Sequence, residues 1–366
     1  MGREKDRFEQ LLKLLPAGWE AKAKELGALQ RAREIKTPED LLRLILLYLT
    51  EGRSFAGTSA ISKLSGETSM SKVAVFKRMR NSADWLQWLC ENIYRSRGYI
   101  AEKPRWLKNK NVIAVDGTED IKCGVRRQCY MLHYSLDIFT LAARELLVTD
   151  QKTGEKLTNF RHLGKNDIVV ADRAYGNMPG VSYLHSLNAG YALRIQSRGL
   201  GNALYDGKKQ KIDLLKRLSR LKEGKITDIN AQCVINGNYT PIRVCAMRKD
   251  LASERAGLKR LVKTNQRKQG GKPVTEAQHE NNKYIIVATS LGKEVSASQV
   301  LELYRIRWQI EIAFKRLKSL FGYNDLPAKR SKSVKAWFYG KLLLAALCET
   351  LVNAGRFPPC ETKAKE

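Results

Sequence analysis

Two short apolar runs, each followed at once by an aspartate, constrain the fold more than any other feature of this sequence. Residues 112–115 (VIAV) precede Asp116, and residues 168–171 (IVVA) precede Asp172. Short runs without polar alternation are typical of strands that are buried on both faces of a sheet. The sequence therefore predicts an α/β fold in which two central strands end in carboxylates.

The segments around these runs predict the rest of the same sheet. β-rich runs indicate an antiparallel meander after the first strand, and further segments indicate helices on either side of the second. These elements are two strands (128–138 and 141–148), a short helix (156–163), a helix (179–188) and a last strand (191–195). Their order is that of a ribonuclease-H-like α/β core.

A long amphipathic stretch, residues 296–322, supplies a third carboxylate. Ser296 and Gln299 have the spacing of a capping box that begins a helix, and neither Pro nor Gly follows before Gly322. At about 100° per residue, a polar ridge lies beside the apolar face, and its members are Tyr304, Arg307, Glu311 and Lys318. The plain alternative is a solvated face, where an Arg307–Glu311 pair contributes a few tenths of a kcal/mol.

The three carboxylates together indicate more than each does alone. A single aspartate at a strand end is usually a turn or capping residue. Asp116, Asp172 and Glu311 would repel one another in one site unless cations lay among them. Oxygen-only ligation with open positions suits Mg²⁺ or Mn²⁺ better than zinc. Two such ions can activate an attacking hydroxyl and stabilise the leaving oxygen of a phosphodiester.

The charge of the chain predicts a polyanionic partner. Its 66 Lys and Arg against 37 Asp and Glu leave a formal net charge of +29, and nucleic acid is the simplest partner for such an excess. The seven cysteines include no C-x-x-C pair and only four His accompany them, so we expect reduced thiols and no zinc site. No membrane partner is expected, because the longest apolar run, near residues 336–352, contains Lys341 and Glu349.

The first hundred residues read as helical and include a possible DNA-reading element. Segments 58–65 and 71–80 flank Gly66 in the manner of a helix-turn-helix. The second segment carries four cations, which are Lys72, Lys77, Arg78 and Arg80. An ordinary helical bundle with a basic surface is the alternative.

The chain resembles a DDE transposase of the bacterial insertion-sequence group marked by a Tyr-x2-Arg-x3-Glu-x6-Lys signature. That signature is matched by Tyr304, Arg307, Glu311 and Lys318. The Asp-Gly-Thr at Asp116 and the Asp-Arg-Ala-Tyr at Asp172 resemble the other two motifs of the group. The resemblance is strongest over residues 111–134, 167–175 and 283–326.

The resemblance implies a domain plan. It consists of a helical DNA-binding domain (1–108), a ribonuclease-H-like catalytic core (109–197 and 283–325), a mainly β insertion (198–282) and a C-terminal helical segment (326–366). Within the insertion, residues 229–235 and 239–247 are joined through Asn236-Gly237-Asn238 and predict a hairpin. A basic run at Lys329, Arg330, Lys332 and Lys335 is expected to contact flanking duplex.

The resemblance also implies roles for the site residues. Asp116, Asp172 and Glu311 become the catalytic and metal-binding triad for two Mg²⁺ or Mn²⁺ ions, and Tyr304, Arg307 and Lys318 become DNA-binding residues. The implied activity is cut-and-paste transposition in the bacterial cytoplasm, at the nucleoid, by a homodimer on transposon ends (terminal inverted repeats) and target DNA.

Three questions stay open at this point. The chain could instead be a ribonuclease-H-like junction nuclease or a domesticated DNA-binding protein without chemistry. Family members often cleave through a hairpin and stack a flipped base on an aromatic side chain. Trp308 lies at the edge of the polar ridge, but the sequence equally allows it to be buried packing.

Overall fold

A single mixed sheet organises the chain. The computed structural model describes residues 8–50, 54–95, 102–107, 109–119, 130–268, 270–321 and 331–354. The strands are β1 (Asn111–Glu119), β2 (Tyr130–Asp137), β3 (Ala143–Asp150), β4 (Asp167–Ala171), β5 (Gly190–Arg194), β6 (Ile226–Ile235), β7 (Asn238–Arg248) and β8 (Tyr284–Thr289). They form one eight-stranded sheet in the order β3-β2-β1-β4-β5-β8-β7-β6.

Strand directions match the predicted core. β2 runs antiparallel to both β1 and β3, so the predicted meander is confirmed. β1, β4 and β5 are parallel, whereas β8, β7 and β6 extend the sheet by antiparallel pairing. This arrangement, with helices flanking it, is consistent with a ribonuclease-H-like domain.

Helices lie before, within and after the sheet in the chain order. Before the sheet lie α1 (Trp19–Glu25), α2 (Pro38–Thr50), α3 (Phe55–Leu64), α4 (Lys72–Asn81) and α5 (Ala83–Arg95). Within it lie α6 (Met178–Ser186), α7 (Leu214–Leu218), α8 (Leu251–Lys268) and α9 (Glu276–Asn282). After β8 come α10 (Ala297–Ile306), α11 (Trp308–Phe321) and α12 (Ser331–Ala354).

The short helix predicted over residues 156–163 is wrong. Only one 3₁₀ turn forms there, at Leu157–Asn159, and both flanking residues have extended backbone angles. Leu157 and Phe160 are buried against the sheet. The burial of these two side chains therefore determines the backbone path of the segment, although its sequence favours a helix.

The sheet is covered on both faces, and the alternation of β1 shows how. Val112 and Ala114 belong to a core shared with the N-terminal helices and with α10, α11 and α12. Ile113 and Val115 face the opposite core, which includes residues of α6, α7 and β6. This double burial explains why the sequence of β1 is a continuous apolar run.

The last helix ties the end of the chain to its beginning. α12 packs against α5, and the buried Lys341 ammonium donates a 2.8 Å hydrogen bond to the Leu49 carbonyl of α2. The Tyr339 hydroxyl donates to the Leu146 carbonyl of β3. No helix in the described part of the chain has the length and apolarity needed to cross a membrane.

The insertion contains the predicted hairpin but is not mainly β. β6 and β7 join through Asn236 and Gly237, whose φ angles of 49° and 81° suit a type I′ turn. However, α7, α8 and α9 occupy more of the insertion than its two strands. The longest of them, α8, is mostly exposed and polar, and such a helix lacks the apolar stripe from which a sequence pattern is recognised.

Candidate active site

The two strand-end aspartates lie side by side. The parallel register pairs Val115 of β1 with Ala171 of β4, so Asp116 and Asp172 follow at matched positions. Burial, and then the negative charge of Asp172, raise the pKa of the Asp116 carboxyl to about 7. Each aspartate also fixes its own turn, since Asp116 accepts from the Gly117 N–H and Asp172 from the Ala174 N–H, both at 2.8 Å.

The helix predicted over residues 296–322 is divided in two. The capping box of Ser296 and Gln299 is confirmed at the start of α10. Arg307 then interrupts the helix, with its N–H donating to the Tyr304 carbonyl and its carbonyl accepting from Ile310, both in the shorter i to i+3 pattern. α10 packs on β5, β7 and β8, whereas α11 packs on β1 and α12. The two helices that follow one another at Arg307 therefore pack against different elements.

Arg307, at this break, connects the first and third carboxylates. Its Nη1 lies 3.5 Å from Asp116 Oδ2, and its Nη2 pairs with Glu311 Oε1. The Arg307 side chain is only 11% exposed and that of Glu311 is 45% exposed. The Arg307–Glu311 pair is therefore present, but it belongs to a partly buried bridge and not to a solvated helix face.

This bridge determines how the carboxylates are arranged. Within the described residues, no three Asp, Glu, His or Cys side chains are grouped so as to hold one metal ion. Asp116 and Glu311 instead share one guanidinium. An ion bound to Asp116 Oδ2 and Glu311 Oε1 would compete with Arg307 for these two oxygens.

An open cleft gives access to this arrangement. The cleft has a volume of about 560 Å³ and is lined by Asp116, Gly117, Thr118, Glu311, Phe314, Lys315 and Lys318. Of the three predicted DNA-binding residues, Lys318 lines the cleft and Arg307 adjoins it. Tyr304 is buried, and the Arg307 guanidinium carbon lies 5.7 Å from its ring centroid. The buried Tyr304 ring therefore packs near the Arg307 guanidinium and helps to position it.

Two residues that the sequence analysis did not single out also reach this site. A Cβ atom built on Gly117 would lie 3.0 Å from Glu155 Oε1 and 3.2 Å from the Tyr175 hydroxyl. Glu155 lies just before the segment 156–163 where a helix was predicted, and no motif in the sequence pointed to it. The signal for Tyr175 was its place in the Asp-Arg-Ala-Tyr motif three residues after Asp172.

Arg173, next to Asp172 in the chain, lies near two further cations, Arg194 and Lys249. Burial, and then the charge of Arg194, lower the pKa of the neighbouring Arg173. The same two causes, in that order, lower the pKa of Lys249 to about 8. Arg173, Arg194 and Lys249 thus form a partly buried group of cations, which is a suitable environment for phosphate groups.

Trp308 follows Arg307 and is 61% exposed. The alternative that Trp308 is buried packing is therefore wrong. The indole stands at the start of α11, one residue from the bridge between the carboxylates. A role for the exposed ring in stacking a flipped base stays a prediction.

The other predicted DNA-contacting cations have mixed surroundings. Lys72 and Lys77 of α4 are exposed, whereas Arg78 donates a hydrogen bond to the Arg31 carbonyl and is partly buried. Lys332 lies 3.9 Å from Asp84, and Lys329 and Arg330 lie outside the described residues. The helix pair α3–α4 is present around Gly66, and its contact with DNA stays a prediction.

Comparison with known proteins places this geometry in a family context. The family described as "Transposase DDE domain" matches residues 107–347. The chain is 33% identical to the putative transposase InsL for insertion sequence element IS186A of Escherichia coli K12, over 94% of this chain and 93% of that protein. It has the same identity and coverage with the transposase for insertion sequence element IS421 of Escherichia coli. A shorter match, 27% identical over 56% of this chain and 45% of the other, is to the transposase for insertion sequence element IS231E of Bacillus thuringiensis subsp. finitimus.

Proposed function

Because this chain belongs to the DDE transposases of insertion sequences, we propose that it moves its own element by a cut-and-paste reaction. In this reaction it cleaves DNA at the terminal inverted repeats of the element and joins the freed ends to target DNA. The observation that carries the proposal is the meeting of Asp116 and Asp172 at matched strand ends, with Glu311 joined to Asp116 through Arg307. We propose further that a homodimer does this on paired ends at the nucleoid.

Asp116, Asp172 and Glu311 are the proposed ligands of two Mg²⁺ or Mn²⁺ ions. The donor set fits, because it is made of carboxylates alone and such ions prefer oxygen. Burial, and then the charge of Asp172, raise the pKa of Asp116, and a bound divalent cation would stabilise the ionised carboxylate against both. The bound ions would supply activation of a water or hydroxyl and stabilisation of the leaving oxygen.

The residues of the chain itself would hold the DNA beside these carboxylates. Arg307 is suited to a phosphate because its fork can give two parallel hydrogen bonds, and in the structure that fork contacts Asp116 and Glu311. Lys318 lines the same cleft. Arg173, Arg194 and Lys249 offer a second set of cations past Asp172.

The substitution Glu311→Gln tests the proposed chemistry. It keeps the size of the side chain and removes its charge, so binding to a duplex that carries the element's inverted repeats should persist, while Mg²⁺-dependent cleavage should be lost. The matched control is Glu302→Gln, because Glu302 lies on α10, is exposed and pairs with Arg305. Near-normal nicking by the Glu311→Gln chain would exclude Glu311 from the triad.

The product of the same reaction separates the alternatives. A transposase gives cleavage at the specific ends and a joined product with target DNA. A junction nuclease would cut branched DNA without regard to the repeats, and a domesticated DNA-binding protein would bind the repeats without cutting them.

A further inference from the structure

The side chains of Glu155 and Tyr175 border a space beside β1, and neither residue belongs to the acidic triad. Gly117 follows Asp116, and the space that its missing side chain leaves is lined by the Glu155 carboxylate and the Tyr175 hydroxyl, at 3.0 and 3.2 Å from a notional Cβ. Gly117 lies in a strand, so its backbone does not require glycine. The absence of a side chain there keeps this space open.

The Tyr175 hydroxyl gives independent evidence of a ligand in this space. Tyr175 is only 1% exposed, and its hydroxyl has no hydrogen-bond partner in the described part of the chain. A buried hydroxyl without a partner costs about 1–3 kcal/mol, so such groups in native proteins usually meet a water, an ion ligand or a substrate. Burial, and then the charges of Glu155, Asp116 and Asp172, raise the pKa of Tyr175, and the hydroxyl therefore stays a proton donor.

The segment that carries Glu155 is held in place. The Asn159 side chain donates a 2.9 Å hydrogen bond to the Gly154 carbonyl, and the Leu157 side chain is buried. The Phe160 ring lies 6.1 Å from the ring of Tyr175. Glu155 is thus presented beside Asp116 by the fold, and its charge contributes to the raised pKa of that carboxyl.

We propose that Glu155 is a fourth carboxylate of the divalent-ion site and that the Tyr175 hydroxyl donates a hydrogen bond to an oxygen atom of that site. This inference rests on the proposed function, because it takes Asp116 to be a ligand. In this proposal, the lack of a side chain at Gly117 leaves room for the site between β1 and Glu155. Tyr175 is then a positioning residue, and Glu155 a ligand or the acceptor that orients one.

Binding of Mn²⁺ to the full chain, measured by electron paramagnetic resonance without DNA, tests the proposal. Glu155→Gln should weaken Mn²⁺ binding by about tenfold, in the range typical for loss of a group that supports a metal site. Glu155→Asp should lose less, because it keeps the charge. Tyr175→Phe should weaken binding by a smaller factor, while Glu302→Gln should leave it unchanged.

Gly117→Ala gives a second and independent measurement. It removes no carboxylate, yet its methyl group would come within 3.0 Å of Glu155 Oε1, so it should also weaken Mn²⁺ binding. Circular dichroism of each variant verifies the fold. If the wild-type chain binds Mn²⁺ and both Glu155→Gln and Gly117→Ala bind it equally well, the inference is overturned and the proposed function stands. If the wild-type chain shows no saturable Mn²⁺ binding, the metal site of the proposed function fails, and the inference fails with it.

Discussion

At the scale of single residues, the fold disfavours the ionised form of the Asp116 carboxyl. Its carboxyl is largely buried, lies beside Asp172 and receives only partial compensation from Arg307 and from the Gly117 N–H. The pKa of about 7 in the folded chain compares with about 3.9 for an ordinary aspartate. The folded chain therefore holds this proton more tightly than the unfolded chain does.

This difference predicts how stability depends on pH in the absence of divalent ions. The stabilising contribution of the protonated carboxyl is complete below about pH 4 and is lost as the pH rises through about 7. Asp116→Asn cannot ionise, so its stability relative to wild type should rise over that interval. One pKa unit corresponds to about 1.4 kcal/mol, which sets a ceiling of about 4 kcal/mol on the effect.

Urea unfolding at pH 4, 6 and 8 in a chelating buffer measures this dependence. The stability difference between the Asp116→Asn and wild-type chains should grow with pH. Parallel stability curves for the two chains would show that the Asp116 carboxyl is not perturbed by the fold. Addition of Mn²⁺ to the wild-type chain at pH 8 should reduce the difference.

At the scale of elements, the sequence predicted what local patterns and chain order determine. The apolar run before Asp116, the Asn236-Gly237 turn and the Ser296 capping box each specify their own structure, and all three are confirmed. The break at Arg307 was beyond such patterns, because it results from α10 and α11 packing on different surfaces. The approach of Glu155 to Gly117 was missed for the same reason, since it depends on how a loop after β3 crosses the end of β1.

Arg243 joins the insertion to the helices that carry the site. It lies on β7 and is buried, with Nη2 2.6 Å from Asp228 Oδ2 of β6. Its Nη1 donates to the carbonyls of Leu291 and Val295, each at 2.9 Å, in the segment between β8 and α10. One guanidinium therefore fixes the entry to α10 against the hairpin.

Arg243→Lys should be strongly destabilising even though it preserves the charge. An ammonium group cannot reach the carboxylate and both carbonyls with the geometry of a guanidinium. Leaving a buried hydrogen-bonding group without its partner costs about 1–3 kcal/mol, so we expect a loss of this order in the free energy of unfolding. Arg305→Lys, at an exposed pair with Glu302, is the control and should change stability by less than about 0.5 kcal/mol. Equal values for the two variants would contradict the role of Arg243.

At the scale of the whole molecule, two kinds of ligand of opposite charge are expected to meet at Arg307. The net charge of +29 attracts DNA, while the carboxylates attract cations. Arg307 contacts two of those carboxylates, Asp116 and Glu311. If a DNA phosphate binds the Arg307 guanidinium in place of the two carboxylates, those carboxylates become available to divalent ions. DNA and divalent ions must then each raise the affinity of the protein for the other by the same factor.

Arg307→Ala tests this coupling. In the wild-type chain, Mn²⁺ should bind more tightly when duplex carrying the inverted repeats is present. The Arg307→Ala chain should bind Mn²⁺ without DNA at least as tightly as wild type and lose the effect of DNA, while cleavage of the ends falls by about 10–100-fold, as expected for loss of contacts worth 1.5–3 kcal/mol. Arg305→Ala should behave like wild type. A loss of Mn²⁺ binding in Arg307→Ala would show instead that Arg307 supports the ion site.

The position of β8 has a consequence for the order in which the chain folds. β8 inserts between β5 and β7, and its pairing of Ala288 with Leu193 closes a loop that contains the whole insertion. Such distant contacts form slowly because the entropy of a long loop must be overcome first. The β6–β7 hairpin is local, so it can form early and offer β7 as a template for β8. Glu311 follows β8 in the chain, and a nascent protein therefore holds Asp116 and Asp172 together well before the third carboxylate can join them.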